Sequence, residues 1–591
     1  MLHRLSWFLC SLLLLIAPHL CHAQKNEVPG PPRATAPAKI DPATEKKALD
    51  LLESISDQIP NLRSPANRLR AECTVADLLW SRDEKRARLL FTSALTQLTA
   101  RISDLDYSDP DIYQELGRVS AARQELVLRI AAHDPELALY ALRQTRLPEN
   151  SRPRGSSSFQ NENSLELSVA ALVAAKNPEA ALKLARSNLS RGVTNQLVSF
   201  LSQLYEKDQK SAQTLYQEIV AQIKDDTLER SPDLANVAWN LLASFPPPQA
   251  DEDTFRDLVT TVLNMVLKAN RETQSGLTLA QNFYYQRERM VPLIEQYAPA
   301  RAAELRDWSQ TVERTIDPQA MMYQELNKIS QSGSVDDMLA LAAKYPPEFQ
   351  NLLYQNAAWK AFKDHDSTRA REIIDLMSDP VQRKQMRDAL DNQTANALEG
   401  NSRITEARRL TDQAKNVIRK MDIMIQMANS AAADGDKKSA LELLGQAKII
   451  ATAASQPSEQ MSSLLRLAQA YLRLDPGQSF SILQPLITKL NELVAAAAVL
   501  DGIDFQYLRD GEWVMPGMNN LGNLVSLLDQ TLAALGQTDF DRATALANQV
   551  ARPEMRVIMQ IDLAQATLGG KAGTDLLIGG RGMSMGRTII Y

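Results

Sequence analysis

The cysteine and histidine residues are the side chains most able to supply a nucleophile, a general base or a metal ligand. Cys10 and Cys21 lie in the apolar N-terminal stretch, so Cys73 is the one cysteine in the rest of the chain. A cysteine nucleophile needs a base beside it, and beyond that stretch only His133 and His365, 232 residues apart, could serve. Zinc sites need clusters of such ligands. We therefore predict a buried, unreactive Cys73 on a helix, with no catalytic residue, no metal site and no cofactor.

A second chemistry-bearing segment spans residues 500–517, where the helical spacing of apolar residues is interrupted. Aromatic and arginine side chains on a loop that a rigid scaffold supports are the ones that dominate binding surfaces. The alternative is that Phe505 and Trp513 pack inside the fold and plug the end of a stack of helices, because aromatic side chains are often buried. The predicted binding residues are Phe505, Tyr507, Arg509, Asp510 and Trp513.

Acid–base chemistry has one candidate in the same segment, Glu512 beside Asp510. A desolvated carboxyl group can act as a general acid while its neighbour stays ionised. The chain contains no H-E-x-x-H and no phosphate-binding loop with its lysine, which are signatures of common metalloproteases and nucleotide-binding enzymes. An enzyme is therefore an alternative hypothesis, and non-catalytic binding is the favoured one.

The charge balance limits the classes of partner. The chain carries 65 basic and 71 acidic residues, interspersed, for a formal charge of −6. Such a pattern lacks the concentrated positive charge that neutralises a phosphate backbone, and it lacks polybasic clusters for an anionic membrane surface. We expect a protein or peptide partner and no nucleic acid.

The elements that must position these residues are helices. Aromatic residues make up 5% of the chain and Gly only 22 of 591 residues, and Ala, Leu, Gln, Glu and Arg are abundant. These residues lose little entropy in a helix, and there are few β-branched runs for strands.

One motif recurs: an Asp, Asn or Gly is followed three to five residues later by a small residue, and then by apolar positions at helical spacing. It occurs at residues 82–87, 133–138, 176–181, 207–212, 365–370, 400–407, 435–440, 474–479 and 538–543.

The spacing of this motif predicts helix pairs. From Ala370 to Ala407, Ala440 and Ser479 the steps are 37, 33 and 39 residues, the length of two helices and two turns. The Asp or Asn is expected to cap the second helix of a pair, and the small residue to let the first helix approach closely. Each pair can bury its apolar face only against its neighbours. The sequence therefore predicts an all-α fold, an α–α superhelix or solenoid of antiparallel helix pairs.

The repeat from Met424 to Thr452 resembles the tetratricopeptide family. Ala428, Ala440 and Ala447 stand at the three small positions of that motif, and Leu444 stands at its large apolar position. The resemblance implies a concave groove that holds peptides or partner proteins. It assigns no individual binding residue, because the other copies match at one or two positions.

The N-terminal residues have the features of an export signal. A short positive start is followed by an apolar run, residues 5–17, which is too short to span a bilayer, and by small residues that favour cleavage after Ala23. The alternative is an uncleaved membrane anchor. We expect an exported protein, periplasmic or extracellular in a bacterial envelope, with no integral membrane segment after cleavage. The predicted segments are a signal peptide at 1–23, a Pro/Ala-rich linker at 24–43, N-terminal helical repeats at 44–245, C-terminal helical repeats at 246–567 and a Gly-rich flexible tail at 568–591.

The Gly-rich tail resembles one unit of the calcium-binding nonapeptide of β-roll proteins, on the basis of Gly573, Asp575 and Leu577. Lys571 and Ser584 depart from that pattern, and a single unit has no second coil on which to stack. We expect a flexible tail and no bound calcium.

Two functional hypotheses follow. The favoured one is an exported, non-catalytic helical-repeat scaffold that binds a protein or peptide in the cell envelope. The alternative is an envelope enzyme that acts on cell-wall glycan and uses a helical superstructure, as the soluble lytic transglycosylases do. That alternative needs a catalytic carboxyl group, for which Glu512 is the candidate.

Overall fold

The computed structural model describes residues 40–109, 112–147, 162–226, 233–268, 274–313, 325, 328–330, 333–396, 398, 400–414, 416–503, 505–513 and 520–569. The predicted export signal and nearly all of the predicted linker and Gly-rich tail lie outside these residues. Within them the protein is almost entirely helical, with one two-stranded hairpin. The predicted all-α solenoid is confirmed.

The helices follow one another in antiparallel pairs along the chain. The first half contains α1 (Pro42–Gln58), α2 (Pro65–Leu79), α3 (Glu84–Ser103), α4 (Ile112–His133), α5 (Pro135–Gln144), α6 (Glu162–Val173), α7 (Pro178–Leu189), α8 (Asn195–Tyr205), α9 (Gln209–Asp225), α10 (Leu234–Ser244), α11 (Glu252–Lys268), α12 (Gln274–Tyr297) and α13 (Ala302–Glu313). The second half contains α14 (Val335–Ala342), α15 (Pro347–Lys363), α16 (Ser367–Asp375), α17 (Pro380–Asn396), α18 (Gly400–Gln413), α19 (Val417–Ala433), α20 (Lys437–Thr452), α21 (Pro457–Tyr471), α22 (Pro476–Val499), β1 (Leu508–Arg509), β2 (Glu512–Trp513), α23 (Asn520–Gly536), α24 (Phe540–Ala547) and α25 (Pro553–Thr567). Short 3₁₀ turns lie at Ile59–Asn61 and Pro299–Arg301.

In eight of its nine copies the recurring motif starts a helix with an Asp or Asn cap, as its residue types predict; in the copy at 400–407 the helix begins at Gly400 and Asn401 lies inside it. The Asp83 side chain accepts a hydrogen bond from the Arg86 amide at 3.0 Å, and Asn177 accepts one from the Ala180 amide at 3.0 Å. Each cap satisfies an amide that has no partner inside its own helix. Equivalent caps are made by Asp134, Asp208, Asp366, Asp436, Asp475 and Asp539.

The small residue of each motif lies where two helices touch. All nine are 0% exposed: Ala87, Ala138, Ala181, Ala212, Ala370, Ala407, Ala440, Ser479 and Ala543. A larger side chain at such a position would force the paired helices apart, since protein interiors are close-packed. The motif therefore encodes both where a helix begins and where its neighbour lies.

The buried apolar residues form three clusters, and the largest joins the two ends of the described chain. One cluster runs from Leu167 to Val312 and another from Val335 to Leu390. The largest combines residues of α1–α6 with residues of α18–α25. The last helix, α25, packs against both α1 and α2, and α24 also contacts α1. The stack of helices therefore closes on itself, and we call the contact of α1 and α2 with α24 and α25 the closure seam.

The predicted division of the repeats at residue 246 falls between α10 and α11. These two helices pack against each other inside one apolar cluster, so no break between clusters coincides with that position. The division into two repeat segments stays a prediction.

Within the described part of the chain, α22 is the helix long and apolar enough to cross a membrane. It supplies Phe480, Leu483 and Leu490 to the largest apolar cluster and packs against α21 and α23. A helix at the core of a folded protein satisfies the same length and hydropathy test, so this single helix is weak evidence for a membrane span.

Candidate functional site: a hairpin and cavity at the closure seam

The segment that interrupts the helices between α22 and α23 folds as a tight β-hairpin. Leu508 pairs with Trp513 and Arg509 pairs with Glu512, joined by a two-residue turn. Asp510 and Gly511 occupy that turn with φ of 52° and 75°, the left-handed conformation that a two-residue hairpin turn requires. An Asp-Gly pair is suited to these angles, because Gly has no Cβ and Asp tolerates the left-handed region.

The Glu512 carboxylate bonds the hairpin to the beginning of α2. It accepts hydrogen bonds from the Arg63 amide at 2.6 Å, the Ser64 amide at 3.0 Å and the Asn67 side chain at 3.2 Å. Ser64 stands at the N-cap of α2, but its own side chain makes no capping bond. A carboxylate 448 residues away in sequence therefore occupies the amide-rich, positive end of this helix.

The other strand residues bond the hairpin to α25. The Trp513 amide donates to the Glu554 carboxylate at 3.0 Å, and the Arg552 guanidinium donates to the Gly511 carbonyl at 2.7 Å. The Trp513 carbonyl accepts from the Asn67 side chain at 2.9 Å. The hairpin is thus hydrogen-bonded to α2 on one side and to α25 on the other. It therefore links these two helices across the closure seam.

The five predicted binding residues lie together on this hairpin, in different environments. The Trp513 side chain is 1% exposed, whereas Phe505 is 44% exposed. Tyr507, which is half-buried, lies between them, with its ring 5.9 Å from that of Trp513 and 5.5 Å from that of Phe505. The alternative that both aromatic side chains pack inside the fold therefore describes Trp513 but not Phe505. A binding role for the five residues stays a prediction.

Glu512 makes structural hydrogen bonds. Its side chain is buried, and three hydrogen bonds from donors occupy the two carboxylate oxygens. The geometry assigns Glu512 a structural role at the seam, and its role as a general acid stays a hypothesis.

A cavity of about 530 Å³ opens between α2, the end of α3 and the beginning of α4. Its size is within the range of small-ligand and peptide side-chain pockets. Leu105 and Ile112 give it apolar walls, and Arg68, Arg101 and Glu115 bring charge to it. We call this space the seam cavity.

Three arginines surround one carboxylate at the edge of the seam cavity. Arg101 donates two hydrogen bonds to Glu115, at 2.8 and 2.5 Å, and Arg118 donates another at 2.9 Å. Burial opposes ionisation of Glu115, but the hydrogen bonds and charges of the two arginines outweigh it and lower the pKa of this carboxyl. Glu115 is therefore a fixed anion that is already shared between two cations.

Arg509 is the third of these arginines, and it comes from the hairpin. Loss of hydration lowers the pKa of the Arg509 guanidinium, and the like charge of Arg118 lowers it further, with smaller opposing contributions from Glu115 and Asp510. Among the described residues no hydrogen bond or ion pair to this guanidinium is found. The Arg68 Nε atom, on the wall of the cavity, is also buried without an acceptor in that part of the structure.

Sequence reasoning identified Arg509 but missed Arg68, Arg101, Glu115 and Arg118. About 400 residues separate these positions from the hairpin along the chain. Only the Glu115–Arg118 ion pair has a local signal, its spacing of three residues on one helix. The rest of the cluster exists because the closure seam brings α2–α4 beside the hairpin.

Cys73 and His133 have structural roles. Cys73 is fully buried, and loss of hydration raises the pKa of its thiol well above the usual range, so it is a small apolar residue as predicted. His133 Nε2 lies 2.6 Å from Asp77 Oδ1, and its ring stacks on Trp80. In the described part of the chain no group of three or more His, Cys, Asp or Glu residues is arranged to hold a metal ion.

Comparisons with known proteins return helical-repeat structures only at very low similarity. No family model matches the chain, and no curated protein matches it significantly. A homology model of the full-length AP-3 complex in an intermediate open conformation is 10% identical, covering 88% of this chain and 93% of that one, with a TM-score of 0.24. A circular tandem repeat protein with novel repeat topology and enhanced subunit contact surfaces is 13% identical over 89% and 97%, with a TM-score of 0.13.

A third chain, from the SYS-1/POP-1 complex, is 11% identical over 85% of this chain and 88% of that one, with a TM-score of 0.15. TM-scores and identities this low carry no argument about function. The assignment of this chain as an all-α helical-repeat solenoid rests on its own helices and their contacts.

Proposed function

We propose that this protein is an exported, non-catalytic scaffold that binds a protein or peptide at the hairpin and the seam cavity. The observation that carries the proposal is the exposed Phe505, which lies against Tyr507 directly before a hairpin that is bonded to α2 and α25 and that carries Arg509. Aromatic and arginine side chains supply most of the energy in many interfaces. A hairpin that is already held in place loses little conformational entropy when a partner binds.

The tetratricopeptide resemblance supports a binding role of the same kind. Ala428, Ala440 and Ala447 are each 0% exposed between the helices of their repeat, and so is Leu444. These are the burial states that the family's small and large apolar positions need for close helix packing. We propose that the repeats are tetratricopeptide-like, and that the partner extends from the seam cavity along the helices beside it.

The envelope location is part of the proposal and depends on the first 23 residues. N-terminal sequencing of the protein isolated from fractionated bacterial cells tests it, and a mature chain that begins at Gln24 in the periplasmic or extracellular fraction is expected. A full-length chain in the cytoplasmic fraction would contradict export. A full-length chain in the membrane fraction would support the uncleaved anchor instead.

Site-specific photo-crosslinking tests the binding surface. A photoreactive phenylalanine analogue replaces Phe505 in the full chain, and a control chain carries it at Ile449, an apolar residue on α20 that is 69% exposed. A discrete protein adduct is expected from position 505 and not from position 449. The captured protein is then identified and purified, and Phe505→Ala is expected to weaken its binding by about tenfold or more.

Two outcomes would count against the proposal. Identical adducts from both positions would indicate unspecific apolar contact. Undiminished binding of the purified partner to Phe505→Ala would place its interface elsewhere on the molecule.

A further inference from the structure

We propose that α1 is exchanged between two copies of this chain, so that α1 of one copy closes the seam of the other in a dimer. The proposal does not depend on the proposed function. Three observations lead to it: α1 and α25 form a helix pair that is split between the chain ends, α1 is held by a narrow stripe of side chains, and the connection from α1 to α2 is suited to an extended conformation.

Helices α1 and α25 have the arrangement of one antiparallel helix pair. The position of a Cβ at Gly569, just after α25, lies 4.0 Å from Ile40 Cδ1, just before α1. At the opposite end of the pair, the hairpin bonds to Ser64, beyond α1, and to Glu554, at the beginning of α25. No turn joins these two helices, because opposite ends of the described chain supply them. The surface of α25 therefore fits α1 of a second copy as well as its own.

The stripe by which α1 is held is narrow. Of its 17 residues α1 buries Ala48, Leu52, Ile55 and Ser56, whereas α25 buries 11 of its 15. It packs mainly against α25 and more lightly against α2 and α24. Terminal elements with few buried apolar contacts open before the rest of a domain. We therefore expect α1 to leave the seam while the hairpin still joins α2 to α25.

Ion pairs on both sides of α1 set its orientation. Glu53 and Asp57 lie 3.0 and 3.4 Å from the Arg86 guanidinium of α3. On the other side, Lys47 pairs with Asp541 of α24 at 2.5 Å. A helix in the reverse orientation would bring like charges together. The groove between α3 and α24 therefore matches the charge pattern of α1, and α1 of a second copy is a partner that meets this pattern in full.

The connection between α1 and α2 can act as the hinge. Residues 59–62 separate α1 from Arg63, whose amide is fixed by Glu512. Ile59 is helical, with φ −53° and ψ −43°, although a residue that precedes a proline prefers the extended region. When extended, the hinge spans up to about 13 Å, which exceeds a helix diameter of about 10–12 Å. An extended hinge therefore suits Ile59 and Pro60 and allows α1 to reach a neighbouring copy.

The exchanged dimer keeps the contacts that α1 makes in the monomer. The two forms therefore differ mainly in the conformation of the hinge and in the entropy that is lost when two copies associate. We expect the dimer fraction to rise with protein concentration.

Isotope mixing detects the exchange in the unaltered full chain. Equal amounts of isotopically light and heavy chains are mixed in urea below the unfolding transition, concentrated to the millimolar range and returned to buffer. The dimer is isolated by size exclusion, and a carbodiimide couples Lys47 directly to Asp541, since these groups form an ion pair. We expect mass spectrometry to find one light and one heavy peptide in about half of the coupled pairs, because random exchange makes half of the dimers mixed.

Variants test the hinge and the docking of α1. Pro60→Ala is expected to reduce the dimer fraction about threefold or more, because it removes the preference of Ile59 for the extended region. Pro457→Ala at the beginning of α21 is the matched control, since Gln456 before it is already extended, with φ −92° and ψ 121°. Leu52→Asp prevents α1 from docking in either copy and is expected to abolish the dimer. Circular dichroism verifies that each variant retains its helices.

Four outcomes would overturn the proposal or its hinge. A chain that stays monomeric at millimolar concentration would overturn the exchange. A dimer whose coupled peptides all carry one isotope, or a dimer that persists in Leu52→Asp, would do the same, because another surface would then hold the copies together. A dimer fraction that Pro60→Ala leaves unchanged would overturn the assignment of the hinge. None of these outcomes bears on the adduct at position 505, which tests the proposed function.

Discussion

At the scale of single residues, the partner of a buried carboxyl group decides what that group does in this protein. Glu512 and Asp529 are both buried, but their partners differ. Glu512 accepts hydrogen bonds from the backbone amides of Arg63 and Ser64. Asp529 on α23 instead faces the carboxyl group of Asp562 on α25, with Arg70 of α2 near by. Both groups lie at the closure seam.

Replacing Glu512 tests its structural role. Glu512→Gln keeps the shape but removes the charge and replaces one acceptor with a donor that faces backbone amides, so we expect a loss of about 1–3 kcal/mol in local stability. Hydrogen exchange of the amides of residues 63–68 measures it, and faster exchange there is expected. Asp510→Asn, at the exposed hairpin turn, is the matched control and should leave these amides protected. Equal exchange in the two variants would contradict the capping role.

Asp529 predicts a pH dependence of stability. Burial, and next the negative charge and hydrogen bond of Asp562, raise the pKa of this carboxyl well above its usual range. An acid with a raised pKa in the folded state contributes stability below its unfolded pKa of about 3.9, and that contribution is lost as the pH rises through the folded pKa. Because of Asp529, the closure seam is therefore expected to be less stable at neutral pH than in acid.

Asp529→Asn removes this loss of stability at higher pH, because the side-chain amide can donate a hydrogen bond to Asp562 whatever the pH. We expect its thermal midpoint to exceed that of the unaltered chain by a few degrees at neutral pH, with the difference shrinking towards pH ~4. Far-ultraviolet circular dichroism over a pH series measures it. Asp412→Asn changes an exposed carboxyl and should show no such trend. A constant difference at all pH values would rule out titration as the cause.

At the scale of elements, the recurring motif joins two local functions in six residues, or eight in the copy at 400–407. Its Asp or Asn caps one helix, and its small residue lets the partner helix approach. In the pair α19–α20 the cap is Asp436, which accepts from the Ser439 amide at 3.0 Å, and the small residue is Ala440. The hairpin differs from these pairs because its partners lie on distant helices.

Enlarging a small position should separate a helix pair. We expect Ala440→Leu to destabilise the α19–α20 pair by about 1–3 kcal/mol, since the added atoms have no space between the helices. Urea unfolding measures it, and Lys438→Leu is the control on the exposed side of the same helix, with little expected change. If Ala440→Leu left the stability unchanged, there would have to be a gap between these two helices, and the prediction of close packing at Ala440 would be wrong.

At the scale of the whole molecule, contact between the chain ends turns a linear stack into a closed one. Helices α1 and α25 pack together through residues of the largest apolar cluster, and Lys47 pairs with Asp541 at 2.5 Å. The ion pair is exposed, so it adds at most about 1 kcal/mol. Apolar burial and the buried hairpin contacts are therefore the main stabilising interactions of the seam.

A charge placed inside α1 should open the seam. Leu52 is 0% exposed, and we expect Leu52→Asp to release α1 from α25, because a buried unpaired carboxylate is strongly unfavourable. Hydrogen exchange should rise in α1 and α25 and stay unchanged in α9, while small-angle scattering should show a larger radius of gyration. Lys46→Asp, on the exposed side of α1, is the control. Faster exchange in α9 as well would mean that the molecule unfolds as one unit.

The sequence by itself determined the helices, their caps and their pairing. These features depend on contacts between residues a few positions apart or within one repeat of 33 to 39 residues, and residue type and spacing encode such contacts directly. It also located the segment that interrupts the helices and the five residues in it, because a break in helical spacing is a local signal.

The tertiary structure alone decided that the ends meet, that Glu512 caps α2, and that Arg509 of the hairpin interacts electrostatically with Glu115 and Arg118 of α4. Small rotations between successive helix pairs add up along the stack, so the relative position of its ends depends on all of them together. No local sequence pattern determines the sum of these rotations. This is the physical reason why the sequence located the segment of the predicted binding residues, whereas only the closed stack brought its neighbours to it.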